Sequence, residues 1–350
     1  MYPPTLSSYY SLYFLSLILF LPTMAGSTMI DFDVFNGDAD GICALTQLRL
    51  ADPREATLIT GVKRDINLLK HVNAKRGDRV TVLDISMDKN CTDLTRLLAA
   101  AADIFYVDHH FSGDIPVSTK LTAIINEASD VCTSLLINNH LKGAHTSWAV
   151  VGAFGDNLNK SAQGLAKNLD INEVELRKLQ NLGIYINYNG YGSNLDDLHF
   201  KPDELFKLVS TYANPLDFIS GSPEHFDKLE NGYHADMSSA KNIKPDSATT
   251  QIAIFSLPNQ PWARRVSGVF SNNLTNDHPN RAHAVLTDKS NGHYLVSVRA
   301  PLNNKKGAAD LCRQFPTGGG REAAAGINNL PDHLLNDFIK AFEESYATSC

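Results

Sequence analysis

The sequence predicts an α/β protein in which a parallel β-sheet covered by helices is followed by a smaller C-terminal α/β domain. Three observations predict it. Short apolar runs rich in β-formers alternate with helical stretches from residue 30 to about 140, as βαβ units do. The alternation resumes beyond the polar, proline-containing stretch "NIKPDSATT" (242–250). The chain has 350 residues, 43% hydrophobic and 20% charged, which suffices for two cores and suits an ordinary globular protein. The expected division is an extension over 1–28, a first domain with a helical connector over 29–240, a linker over 241–250 and a second domain over 251–350.

The elements follow in order. "IDFDVF" (30–35) alternates apolar and acidic residues and yields to "GICALTQLRL", where Ile42, Leu45 and Leu48 recur at helical spacing. Strands are then expected at "ATLIT" (56–60), "RVTVLDIS" (79–86), "IFYVDHH" (104–110) and "LTAIIN" (121–126), with helices at "TDLTRLLAAAADI" and "VCTSLLINNHL". An apolar helix, "SWAVVGAFGDN", stops at Asp156, and another helix covers about 171–187. "INYNGYGSNLDDLHFKPDEL" has the Asn and Gly content of a turn-rich loop. A sharper alternative makes Asn187, Tyr188 and Asn189 part of a substrate wall. In the second domain "QIAIFSL", "AHAVLTD" and "GHYLVSVRA" read as strands, while "WARRVSGVFSNNL", "GAADLCRQF" and "LPDHLLNDFIKAFEESY" read as helices.

The formal net charge of −7 and pI near 5.9 argue against a long basic groove for nucleic-acid polymers. A phosphate-bearing substrate must therefore be held locally, by metals or a few placed cations. Five cysteines, Cys43, Cys91, Cys132, Cys312 and Cys350, are widely spaced without a CxxC pair. That pattern suits free thiols in a reducing compartment, with Cys43 packing beneath the site. The apolar segment Leu12 to Leu21 is too short to span a bilayer comfortably, and no Lys or Arg precedes it. An over-extended start, with the folded chain beginning near Met29, is preferred to an export signal; the expectation is a cytoplasmic protein with no membrane partner, for which a homodimer stays open.

Ligands of parallel sheets bind outside the carboxyl ends of the strands. Asp38 and Asp40 follow the first strand, Asp84 ends the third, and Asp108 with His109 and His110 ends the fourth. Asp156 adds a fourth deposit. Singly, each Asp reads as a helix cap or turn residue. Together on one rim they repel: two carboxylates roughly 4 to 5 Å apart cost about 3 to 4 kcal/mol at an effective dielectric near 20. A cation between them turns that cost into attraction. Oxygen ligands suit Mg²⁺ or Mn²⁺, and an accompanying imidazole shifts preference toward Mn²⁺ or another first-row ion. Asp38, Asp40, Asp84, Asp156 and a histidine of "DHH" can hold two divalent cations with one carboxylate bridging, the arrangement that hydrolyses phosphoesters.

The motifs "DAD", "VLD", "DHH" and "GDN", in this order and spacing, resemble the four motifs of the DHH phosphoesterase superfamily. "TGGGREAAAG" (317–326) resembles the glycine segment of its companion DHHA1 domain, GGGHxxAAG. Together the resemblances cover about residues 29–350. They imply that Asp38, Asp40, Asp84, His109 and Asp156 are metal ligands, with Asp84 as the bridge. They also imply that His110 faces the substrate phosphate and that Asp108 orients a histidine or supports the ligands. Independently, Gly318, Gly319 and Gly320 can bring backbone N–H groups close to an anion as a nest, a tight turn being the rival reading. Arg299 and Arg321 can give bidentate contacts to a terminal phosphate or a guanine edge. Two positions depart from the pattern: Val34 and Asn36 stand where relatives carry His or Asp, and Arg321 replaces the histidine of the glycine motif.

The superfamily includes single-strand exonucleases, nanoRNases, cyclic-dinucleotide phosphodiesterases and pyrophosphatases with a different second domain. The expected activity is hydrolysis of a short linear 5′-phosphorylated dinucleotide such as pGpG to mononucleotides, with the second domain closing over the substrate. The alternatives are a cyclic-dinucleotide phosphodiesterase, an oligonucleotide exonuclease, a phosphatase of 3′-phosphoadenosine 5′-phosphate, or a non-catalytic nucleotide-binding module.

Overall fold

The computed structural model describes Met1, residues 29–289 and residues 291–346. The expected extension past Met1 and Cys350 lie outside the described residues. The first sheet consists of β1 (Asp31–Phe35), β2 (Thr57–Ile59), β3 (Arg79–Leu83), β4 (Asp103–Asp108) and β5 (Leu121–Ile125), in the order β2-β1-β3-β4-β5. Every neighbouring pair is parallel. Such a sheet needs helices on both faces. One face carries α2 (Cys91–Ala99), with Leu94 and Leu97 buried over Val80, Val82 and Ile104. The other carries α1 (Ala39–Ala51), α3 (Thr133–His140), α4 (Thr146–Gly155), α5 (Asn159–Ala166) and α6 (Glu173–Gly190).

The alternation in "DFDVF" has an unusual basis. Asp33 is buried in the sheet, where an acid would be costly alone, but Arg49 of α1 forks onto it, with Nε donating at 2.7 Å. Asp31 is held likewise by Arg79. The acids of β1 are thus ion-paired to helix and sheet and do not mark a solvent face.

Helix α4 is apolar on all sides, and Trp148 to Gly155 are all buried. It crosses α6 with backbones nearly touching. A Cβ on Gly183 would lie 2.3 Å from the Val151 carbonyl oxygen, and one on Gly155 2.8 Å from the Gly183 oxygen. Helix α6 begins with a capping box of Asn172 and Glu175 and runs through Gly190, so the loop expected at "INYNG" is helical. The helices α7 (Pro202–Val209), α8 (Pro215–Gly221) and α9 (Pro223–Ala240) complete this half.

The second sheet has the order β10-β11-β9-β8-β7-β6. Its elements are β6 (Ser247–Ala248), β7 (Ile252–Leu257), α10 (Pro261–Asp277), β8 (Ala282–Lys289), β9 (His293–Arg299), α11 (Ala308–Arg313), β10 (Gly318–Gly320), β11 (Ala324–Pro331) and α12 (Leu335–Tyr346). Only β7 and β8 pair in parallel. The stretch expected as a linker contributes β6, an edge strand of this sheet. One face packs on α11 and α12. The other shares a core with the first half, where Tyr188 and Met237 meet Phe255, Val266 and Phe270. Polar bonds reinforce that seam: Arg264 forks onto Asp197 at 2.7 and 2.8 Å, and Arg265 donates to Asp236 at 2.7 Å.

Cys43, Cys132 and Cys312 are buried free thiols and Cys91 is an exposed one. Among the described residues no helix is long and apolar enough to cross a membrane. His283 of β8 is wholly buried, with neither ring nitrogen bonded, and stacks on His278 at 6.2 Å. Burial, with Arg281 and His278 nearby, pushes its pKa down to about 4 from an ordinary 6.5. The unfolded chain then holds this proton more tightly than the folded one. The corresponding stability is complete above pH 6.5 and is lost as the pH falls toward 4. Equilibrium denaturation is expected to show a loss of about 1 to 3 kcal/mol over that interval, and His283→Leu should flatten it.

Candidate active site

Four chain segments deliver acids to the carboxyl rim of the first sheet. Asp38 caps α1, accepting from the Gly41 N–H at 3.1 Å, and Asp40 lies in that helix's first turn. The Asp40 carboxylate accepts the Thr133 and Ser134 N–H groups, both at 2.7 Å, so it docks the N-terminus of α3 beside α1. Asp84 follows β3 with φ 60°, a left-handed conformation that Asp tolerates better than most residues. Asp108 ends β4 and delivers His109 and His110, and Asp156 caps the C-terminus of α4.

The tautomer of His109 follows from its bonds. Its Nδ1 lies 2.8 Å from the Val131 carbonyl, which can only accept, and 3.2 Å from Arg321 Nη1, which can only donate; the shorter contact places the proton on Nδ1. Nε2 therefore presents a bare lone pair 3.3 Å from Asp84 Oδ1 and 3.8 Å from Asp40 Oδ2. Burial, then Arg321 and His110, lower the His109 pKa and keep the ring neutral. His110 differs. Its Nδ1 meets Asp108 Oδ1 at 2.8 Å, and although burial opposes the charge, Asp108 raises the His110 pKa.

Four of the five carboxylates have compensation. Asp40 has backbone N–H groups and Asp108 has His110. Lys63 binds Asp38, lowering its pKa against the effect of burial, and donates to Asn187 Oδ1 at 3.0 Å. Arg321 reaches from the second half to Asp156 at 3.2 and 3.3 Å and, again against burial, holds that carboxyl well below the usual range. Asp84 accepts a hydrogen bond from the neutral Thr133 hydroxyl at 3.4 Å, while His110 Nδ1, bonded to Asp108, stays 3.8 Å away. Burial, followed by Asp38, Asp40, Asp108 and Asp156, pushes its pKa well above the ordinary value.

These features test whether the site suits a divalent cation. Ligand atoms of Asp84, His109 and His110 lie within 4.8 Å of one another. A histidine lone pair aims among carboxylate oxygens, and the buried Asp108 Oδ2 has no partner. Nearby at the end of β1, Asn36 Oδ1 is also buried without a partner. The donor set fits such a cation, and its charge would supply what Asp84 lacks.

Other expected residues are arranged differently. Asn187, Tyr188 and Asn189 are buried in the last turns of α6. Asn187 meets Lys63, Tyr188 donates to Asp236, and Asn189 bonds the backbone of His199 and Phe200. Of the three, Asn187 alone bonds a side chain that touches the acid cluster, Lys63. Gly318, Gly319 and Gly320 form no nest: they are strand β10, paired to Ile327, Gly326 and Ala325, and N–H groups along a strand alternate in direction. Glycine is required at 318 because a Cβ there would lie 1.7 Å from the Cys312 carbonyl oxygen. Arg299 is held by neutral acceptors, Asn272 Oδ1 at 2.8 Å and the Val298 carbonyl at 3.1 Å.

Two cations escaped the sequence reading. Lys63 and Arg64 follow β2 on the same rim, and charge at the carboxyl end of a parallel strand was the available signal. Lys63 turns to the acids and Arg64 to the second sheet. Arg64 donates to Ser297 Oγ at 2.9 Å and Asn328 Oδ1 at 3.1 Å, while its buried Nε has no partner. Burial lowers its pKa, with Arg299 contributing, and Arg64 in turn lowers that of Lys289 beyond the effect of burial. Arg64, Arg299 and Lys289 thus form a cationic cluster, and among the described residues none of the three has a carboxylate within ion-pair distance.

No family model and no curated protein matches the sequence. Solved structures do. A member of the s1p family of ribosomal proteins, described as a DHH domain, superposes with a TM-score of 0.61 at 12% identity, over 90% of this chain and 86% of that one. Exonuclease RecJ bound to manganese gives 0.58 at 14%, over 90% and 89%. RecJ from Thermus thermophilus in complex with Mn²⁺ gives 0.57 at 15%, over 90% and 51%. At these identities the likeness is one of fold. This chain shares the two-domain α/β architecture of these neighbours, a parallel sheet followed by a mixed one.

Asp84→Asn keeps a side-chain donor for His109 Nε2 while removing the repelled charge. Because the Asp84 pKa is raised, its contribution to stability is present below about pH 4 and is lost as the pH rises through the folded value. In the metal-free chain, the variant is expected to gain about 1 to 2 kcal/mol at pH 7, and less at pH 4. Thermal melts in EDTA should show this, and the rise in melting temperature on adding Mn²⁺ should shrink relative to the unsubstituted chain.

Proposed function

We propose that this protein is a metal-dependent phosphoesterase that hydrolyses short linear 5′-phosphorylated dinucleotides, such as pGpG, to mononucleotides. The observation that carries the proposal is the convergence of buried carboxylates around the His109 lone pair, with one carboxylate, Asp84, given no charged hydrogen-bond partner of its own among the described residues. Asp38, Asp40, Asp84, His109 and Asp156 would hold two divalent cations, with Asp84 between them; Mn²⁺ is favoured by the imidazole, Mg²⁺ or another first-row ion being the alternative. When bound, such ions acidify water to a hydroxide nucleophile and neutralise charge on the phosphoryl oxygens.

The chain's own residues do the rest. Val131 fixes the His109 ring so that Nε2 stays an acceptor. Asp108 accepts the His110 Nδ1 proton and favours the charged ring, leaving its Nε2–H to donate to a phosphoryl oxygen. Arg64, Arg299 and Arg321 supply guanidinium contacts for the terminal phosphate. Lys63 and Arg64 are consecutive, with Cα atoms about 3.8 Å apart, so the acid and cation clusters start from one point on the chain. That short span supports a dinucleotide over a polymer, as does the net charge of −7. The free buried thiols support a cytoplasmic location.

Turnover of a dinucleotide panel with Mn²⁺ tests the activity. Asp84→Ala should lower kcat by roughly 10³-fold or more, about 4 kcal/mol of barrier. Binding without turnover in the unsubstituted chain would select a nucleotide-binding module instead, and cleavage of cyclic substrates alone would select a cyclic-dinucleotide phosphodiesterase. Arg64→Ala should lower kcat/KM for 5′-phosphorylated substrates by roughly 10- to 100-fold, the worth of a charge-assisted bond, and spare their 5′-hydroxyl counterparts. An equal loss on both would remove the assignment of Arg64 to the terminal phosphate.

A further inference from the structure

A cavity of about 210 Å³ opens between α4, α6 and α10. Gly155 and Asn157, the residues on either side of Asp156, line it, so it adjoins the acid cluster. Its composition is unusual. Six asparagines and one glutamine are among eleven lining residues, and none of the eleven is charged. On one wall Gln180 Nε2 donates to Asn159 Oδ1 at 3.3 Å, and Asn159 Nδ2 donates to Asn157 Oδ1 at 3.2 Å. Helix α10 contributes Asn272, Asn273 and Asn276 opposite, and Asn187 connects the cavity to Lys63. Phe154, Ile184 and Val269 supply apolar surface.

The chemistry of these walls excludes most occupants. An anion would meet no cation here, and a cation no carboxylate. A purely apolar ligand would strip water from the donor and acceptor sites these carboxamides have left over after their own bonds, at a cost of about 1 to 3 kcal/mol for each group it buries. A neutral ring with apolar faces and a polar edge satisfies both kinds of surface. A carboxamide carries a donor and an acceptor side by side, and Asn276, whose side chain no hydrogen bond ties to a neighbour among the described residues, keeps both for the edge of a base, while Gln180 keeps Oε1 and its second N–H.

We propose that this cavity is a nucleobase subsite, holding the base of the nucleotide whose phosphate lies at the acid cluster. The proposal rests on the phosphoesterase reading for what occupies the neighbouring site, but not for its test. Adenosine, guanosine and ribose carry no phosphate and need no metal, so saturation-transfer NMR in EDTA probes the cavity alone. At least one nucleoside should bind while ribose does not. Gln180→Leu and Asn276→Leu should each weaken nucleoside binding by roughly fivefold or more, the worth of one hydrogen bond, with the melting temperature little changed. Asn276 is exposed, so its substitution leaves the core intact. Nucleosides binding no better than ribose, or folded variants binding like the unsubstituted chain, would overturn the subsite. Failure to hydrolyse dinucleotides would instead overturn the activity and leave the nucleoside result standing.

Discussion

Mutual repulsion among buried carboxylates is the constraint around which this molecule is built. Two unit charges 4 Å apart cost about 4 kcal/mol at an effective dielectric of 20, and five acids meet here with little water to screen them. Each neutralising group comes from a different part of the chain. The α3 N-terminus serves Asp40, the loop after β2 serves Asp38, β4 brings Asp108 together with its own histidine, and the second sheet sends Arg321 to Asp156. The order of helices around the rim, and the seating of the second sheet against it, keep four acids satisfied and leave Asp84 with a neutral hydroxyl.

Much of this was legible in the sequence because a parallel sheet writes itself plainly. Its strands are buried on both faces and appear as short apolar runs, and its ligands gather where those runs end. All five strands of the first sheet, and the acids at their ends, were found that way. What was hidden depended on partners distant in sequence. "INYNG" has the composition of a loop, yet it stays helical because Lys63 and the Phe200 backbone satisfy its asparagines and Gly190 packs closely on Gly37 and Asp38. "GGG" suggested a flexible anion nest, whereas it is a strand whose first glycine is demanded by the Cys312 carbonyl. Lys63 and Arg64 went unnoticed because surface cations are common, and only burial sets these two apart.

The two halves share more than a cleft. Tyr188 and Met237 complete a core begun by the second sheet, and Arg264 and Arg265 tie α10 to Asp197 and Asp236. Breaking one partner of such a pair is costly because the other charge is left in a poorly solvated place. Consecutive side chains, Lys63 and Arg64, then reach into opposite walls of the cleft, so the acid and cation clusters keep a common origin.

The crossing of α4 and α6 has its own consequence. With Gly155 and Gly183 in backbone contact, the helix presenting Asp156 and the helix presenting Asn187 behave as one rigid block. A single methyl group at Gly183 would act as a shim, tilting the block without altering any residue that lines the cavity. The spacing of Asp156 and Asn187 is therefore set by a seam of absent side chains, one glycine beside the acid and the other a helical turn before the amide.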